Sequence, residues 1–133
     1  MKDFNGAISD YNKAIDLKLY LQLGYFGRGV AKQNLSDTIG AIEDFSQAIE
    51  IFPQFYYAYL FRGRLQSKLN NFKDAVSDFT KALEVVPNDE DALIERANVK
   101  FNLGDKKGAC EDFKKACELG NPEGCVSFKT KCW

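Results

Sequence analysis

The sequence contains no histidine, one methionine, one tryptophan and three prolines in 133 residues. Without histidine there is no imidazole general base, no Ser-His or Cys-His nucleophile pair and no imidazole metal ligand. There is no excess of basic charge either: 18 Lys and Arg face 19 Asp and Glu, a net charge of -1. Nucleic-acid binding draws on such an excess to neutralise phosphates, so no nucleic-acid partner is expected. No apolar run approaches the roughly 18 residues of a membrane-spanning helix, so no membrane span is expected. Met1 to Phe4 carry no apolar stretch behind their charges and do not read as a signal peptide. C-x-x-C and other short cysteine spacings are absent, which argues against thiol-redox and structural zinc sites. What remains is a length suited to one domain, 45% hydrophobic and 28% charged, the balance of an ordinary folded chain. No catalytic residue, metal or cofactor is expected.

What is present is a repeat. Ala7, Ala41, Ala75 and Ala109 stand 34 residues apart. Four residues after each comes an aromatic: Tyr11, Phe45, Phe79, Phe113. Three further on comes a second alanine: Ala14, Ala48, Ala82, Ala116. Gly29, Gly63 and Ala97 keep the same step, preceded by Tyr25, Tyr59 and Leu93. Pro53 and Pro87 close two of the units. Ala75, Phe79 and Ala82 fall at i, i+4 and i+7, one face of a helix. Small alanines allow helices to approach closely while the aromatic fills the space between them. Ser36-Asp37, Asn70-Asn71 and Gly104-Asp105 punctuate the helices with turn residues.

A 34-residue period with a small-x-x-x-aromatic core and a closing proline resembles the tetratricopeptide repeat. The likeness spans nearly the whole chain. It departs from the family pattern before the glycine column, where Arg28, Arg62 and Arg96 replace leucine, and at Lys32, Gln66 and Lys100, where an aromatic is usual. The resemblance implies an all-α fold, a right-handed α-solenoid of antiparallel helix pairs with about 3.5 repeats and a short C-terminal helix. Helices are expected over 3–17, 20–34, 38–51, 55–69, 72–85, 89–103, 106–119 and 122–132. One tetratricopeptide domain would then fill residues 1–133, with 1–19 a half repeat holding only a second helix. Full repeats follow at 22–55, 56–89 and 90–121, and 122–133 forms a capping helix. The chain reads as the C-terminal piece of a longer protein, or as a short product whose first helix must be covered otherwise. Phe4, Ala7, Tyr11 and Ala14 would expose an apolar face, and self-association, as a homodimer through the N-terminal helix, is an expected consequence.

Two charged columns share the period: Arg28, Arg62, Arg96, and Asp10, Asp44, Asp78, Asp112. They form either an arginine row that grips an acidic ligand or a structural ladder of Arg–Asp pairs. The ladder is favoured, because a planar guanidinium suits partly buried pairing and function sits on variable rather than repeating positions.

The four cysteines, Cys110, Cys117, Cys125 and Cys132, lie in the last 24 positions. Each i, i+7 pair is about 10 Å apart along a helix, too far for a bridge within it. Between antiparallel helices Cys117 can meet Cys125 and Cys110 can meet Cys132. Residues 115–125 are also similar to Sel1-like cysteine-rich repeats, whose cysteines at this spacing bridge adjacent helices. Reduced core thiols are the main alternative, since Cys110 and Cys117 occupy columns filled elsewhere by Ile, Val and Leu. Metal and redox roles remain the lesser ones. Disulfides would favour an extracytoplasmic location, with any signal sequence outside this sequence.

In tetratricopeptide proteins the first helix of each pair lines the concave groove. Carried over by position, this gives Leu23, Phe26, Gly27, Val30, Gln33 and Asn34 in the first full unit. The second gives Tyr57, Leu60, Phe61, Arg64, Ser67 and Lys68, and the third Asp91, Ile94, Glu95, Asn98, Phe101 and Asn102. The family's carboxylate-clamping Lys and Asn positions hold Phe26, Val30, Phe61, Asp91 and Glu95, so a chaperone-tail ligand is not expected. The resemblance implies protein–protein interaction, a scaffold holding a partner's peptide or helix, with self-assembly or a thiol-redox accessory role as alternatives. The expected binding residues are Phe26, Val30, Tyr57, Leu60, Phe61, Arg64, Lys68, Ile94 and Asn98. Gly24, Gly27 and Gly29 have the wrong order for a phosphate loop and read as helix-packing glycines.

Overall fold

The computed structural model describes residues 3–133. It holds eight helices and no strand among the described residues: α1 (Phe4–Asp16), α2 (Leu21–Asn34), α3 (Thr38–Ile51), α4 (Tyr56–Lys68), α5 (Phe72–Val85), α6 (Glu90–Asn102), α7 (Lys106–Glu118) and α8 (Pro122–Lys131). Every predicted helix is there, and each end falls within one residue of its expected place.

The boundaries have local causes that recur with the period. α1, α3 and α7 begin at Asp3, Asp37 and Asp105, whose carboxylates accept from the backbone N–H of Gly6, Gly40 and Gly108 at 2.9–3.0 Å. These bonds satisfy N–H groups that the helix itself leaves unpaired. Asn71, in the same column before α5, does not cap; its amide donates instead to Gln66 Oε1. α3 and α5 end where Phe52 and Val86 turn extended at φ -131° and -127°. Each precedes a proline, whose ring disfavours the helical conformation in the residue before it. α7 ends through Gly120 at φ 98°, and α8 starts with Asn121 as cap and Pro122 in its first turn.

The chain divides into two compact units, 1–62 and 63–133, with the division inside α4. In the first, α2 packs on both α1 and α3. Phe45, Ala41 and Ala48 are fully buried there. Phe26 stacks 5.5 Å from Phe45, 4.9 Å from Phe55 and 5.3 Å from Phe61, so the core is an aromatic cluster. In the second unit α6 packs on α5 and α7, and α7 on α8. Phe79, Phe113 and Leu93 fill it, with alanines from α5, α6 and α7 letting the backbones close in.

Candidate functional site

In the first unit the second-type helix α1 and the first-type helix α2 enclose a groove of about 620 Å³. α2 supplies Leu23, Phe26, Gly27, Val30 and Ala31. α1 supplies Phe4, Ala7 and Tyr11, with Asp3 at its rim. Leu23 is an exposed large hydrophobe, at 53%. Phe26 and Val30 thus line this groove. Phe61 belongs instead to the aromatic cluster, 5.9 Å edge-on from Phe45. Tyr57 is exposed and packs its ring against Tyr56. Leu60 is a correction: at 5% exposure it is core, not groove lining.

A smaller, more polar cavity of about 220 Å³ lies in the second unit. Arg64 and Ser67 of α4 face Glu95, Asn98 and Asn102 of α6 across it, over Phe79 and Val99. Arg64 Nε donates to Glu95 Oε1 at 2.7 Å, while Glu95 Oε2 is buried and has no hydrogen-bond partner. Burial pushes the Glu95 carboxyl above its ordinary pKa, and the bond from Arg64 opposes that shift. Lys68 is exposed and outside the cavity. Ile94 is the second correction: it is 5% exposed and belongs to the core. Both corrections have one cause. Leu60 and Ile94 share a repeat column and are covered by neighbouring helices, whereas Phe26 in the same column is only partly covered and borders the groove.

Arg28 and Arg96 pair with the aspartates sixteen residues on. Arg28 forks onto Asp44 at 2.8 and 2.7 Å, and Arg96 onto Asp112 at the same distances. Each guanidinium also reaches back sixteen residues: Arg28 to Asn12, Arg62 to Ser46, Arg96 to Thr80. Lys32 and Lys100 add a second cation 3.2 Å from Asp44 and Asp112. Arg28, Lys32, Arg96 and Lys100, four of the departures from the family pattern, are thus the partners of buried carboxylates. The bond to Asp44 holds the Arg28 pKa above its ordinary value. Asp44, Asp78 and Asp112 are buried, whereas Asp10 is exposed.

Cys110 is bridged to Cys132 and Cys117 to Cys125, with Cα–Cα separations of 5.7 and 4.4 Å. The two bridges tie α8 to α7 at both ends. No three His, Cys, Asp or Glu side chains group to hold a metal ion among the described residues, and no described helix is long and apolar enough to cross a membrane.

Phe4, Ala7 and Tyr11, expected from the sequence to expose an apolar face, line the apolar groove, whereas Phe79 and Val99 under the polar one were not anticipated.

Residues 56–89 and 90–119 match the family model of the tetratricopeptide repeat, so these two stretches carry such repeats. In fold it is similar to the crystal structure of MamA, with a TM-score of 0.83 at 21% identity over 92% of this chain and 71% of that one. The MamA RS-1 ArsTM double mutant gives 0.83 at 16% identity over 98% and 78%. The first TPR of Spaghetti (RPAP3), bound to the HSP90 peptide SRMEEVD, gives 0.76 at 19% identity over 84% and 90%. These likenesses show the fold class, an all-α helical-repeat solenoid. No curated protein matches the sequence.

Proposed function

We propose, from tetratricopeptide repeats as premise, that this chain is a non-catalytic interaction module that holds a peptide or helix of a partner protein. The groove of α1 and α2 carries the reading. It is large enough for a segment of helix, its walls are apolar, and Leu23 stands exposed in it. The Spaghetti domain binds a peptide ending in acids and valine. Here Asp91 and Glu95 stand at clamp positions, which favours a ligand other than an acidic tail. Both disulfides support placement in an oxidising, extracytoplasmic compartment, and their pairing of adjacent helices supports a Sel1-like reading of the C-terminal stretch. Paired cysteines in a brace of this kind argue against a thiol-redox role.

The test is a pull-down comparing the native chain with a Leu23→Glu, Val30→Glu double variant that keeps its helical circular dichroism. A protein captured by the native chain and lost with the variant is the expected result. Capture that survives both charges moves binding off this groove. A second reading, self-assembly through the N-terminal half repeat, is favoured by one observation: α1 has no buried residue.

A further inference from the structure

The polar cavity of the second unit holds a carboxylate with too few partners. Glu95 Oε1 accepts from Arg64 Nε, and Oε2 has no hydrogen-bond partner. Among the described residues Arg64 is the one cation within ion-pair distance of Glu95. Lys68, one turn beyond Arg64, lies outside the cavity. Burial chiefly, and then the charges of Asp91 and Asp89, raise the Glu95 pKa against the pull of Arg64. Negative charge at this point is therefore under-compensated.

The same chain shows twice how such a carboxylate is completed. Asp44 takes Arg28 and, 3.2 Å from Oδ2, the ammonium of Lys32. Asp112 takes Arg96 and, at 3.2 Å, the ammonium of Lys100. In both, an arginine and a lysine share one carboxylate. Glu95 has the arginine and lacks the lysine. The space beside it suits the missing group. At about 220 Å³ the cavity admits a side chain rather than a helix. Phe79 and Val99 give it an apolar floor on which an alkyl stem can lie. Ser67, Asn98 and Asn102 bring side-chain oxygens that can accept from the remaining N–H groups of an ammonium.

We propose that this cavity is a subsite for a lysine side chain of the partner protein. The ammonium pairs with Glu95 beside Arg64, and the aliphatic stem lies on Phe79 and Val99. The proposal rests on the interaction-module reading and names the partner's chemistry. The Glu95 side chain is 31% exposed, so a turn of its carboxylate brings the orphan oxygen to the incoming donor. Lysine fits better than arginine here. A compact ammonium enters beside the Arg64 guanidinium, where a second planar fork would have to displace it. An acidic or purely apolar side chain would leave the Glu95 oxygen unpaired.

The probe is Nα-acetyl-lysine methylamide, titrated into the full native chain and followed by the side-chain amide resonances of Asn98 and Asn102. Both should shift saturably. The norleucine analogue keeps the stem without the ammonium, and the Nε-acetyl-lysine analogue keeps the length without the charge. Each should bind about tenfold more weakly. A Glu95→Gln chain should weaken the lysine probe likewise and lose its preference over the norleucine analogue. This variant removes a charge that burial already opposes, so it should fold; if its circular dichroism is altered, the analogues against the native chain decide alone. Absence of a saturable shift, or equal binding of the lysine and norleucine probes, overturns the proposal. Lysine binding unchanged by Glu95→Gln in a folded chain also overturns it. A partner protein captured through Leu23 and Val30, by a chain that does not bind the lysine probe, leaves the module reading standing and removes this inference only.

Discussion

Glu95 is where single-residue chemistry departs most from its sequence neighbours. It occupies a groove position, yet half its carboxylate is buried without a partner beside Arg64. Burial raises its pKa, so the folded state binds the proton more tightly than the unfolded chain does. The stability it contributes is therefore full below the ordinary glutamate pKa and is lost as pH rises through the raised value. Thermal melts of native and Glu95→Gln chains from about pH 4 to neutrality check this. The native chain should compare best at acid pH and progressively worse toward neutrality. A difference that stays constant would mean Glu95 ionises as freely folded as unfolded. Ser36 and Asn70 show another residue-scale feature. They adopt φ 64° and 62° in the turn column where Gly104 stands at 86°, a conformation glycine takes without cost from a Cβ.

At the scale of the helix, the arginine ladder couples α2 to α1 and α3, and α6 to α5 and α7. Removing Arg28 leaves Asp44 buried with only Lys32 to compensate it. Arg28→Leu should then cost about 2–4 kcal/mol, below the full range for a deeply buried pair because the guanidinium is partly exposed. Urea denaturation monitored by circular dichroism checks it. An unchanged midpoint would return the arginine column to the ligand-gripping reading. The helix itself was legible in sequence because its signals are local. Aspartate or asparagine at the start, proline or glycine at the end, and apolar residues at helical spacing all act within one or two turns.

At the scale of the whole molecule, the C-terminal end is held by covalent bonds rather than by a large core. α8 is a ten-residue helix burying only Gly124 and Ser127, and it owes its place to Cys110–Cys132 and Cys117–Cys125. The longer bridge closes 22 residues of sequence separation. Replacing both its cysteines by serine should lower stability by about 3 kcal/mol through the freed unfolded chain. Melts with and without reductant test this: the native chain should lose stability on reduction, and the variant should lose less. Equal melting in both conditions would show that α7 and α8 stay together by packing alone.

The sequence by itself determined the period, the eight helices and the columns that could face a core, because each depends on residues within a few turns of one another. It also narrowed the cysteines to nested pairs, since helix geometry excludes bridges along one helix. Three things were decided only by the tertiary structure. Leu60 and Ile94 are core while Leu23 is exposed, although all three sit at groove positions by register. The thiols are bridged rather than packed reduced. Asp10 is exposed, although Asp44 in the same column is buried. The physical reason is common to all three. Burial and bonding belong to pairs of helices, and a residue's own neighbours in sequence cannot say which partner surface arrives to cover it.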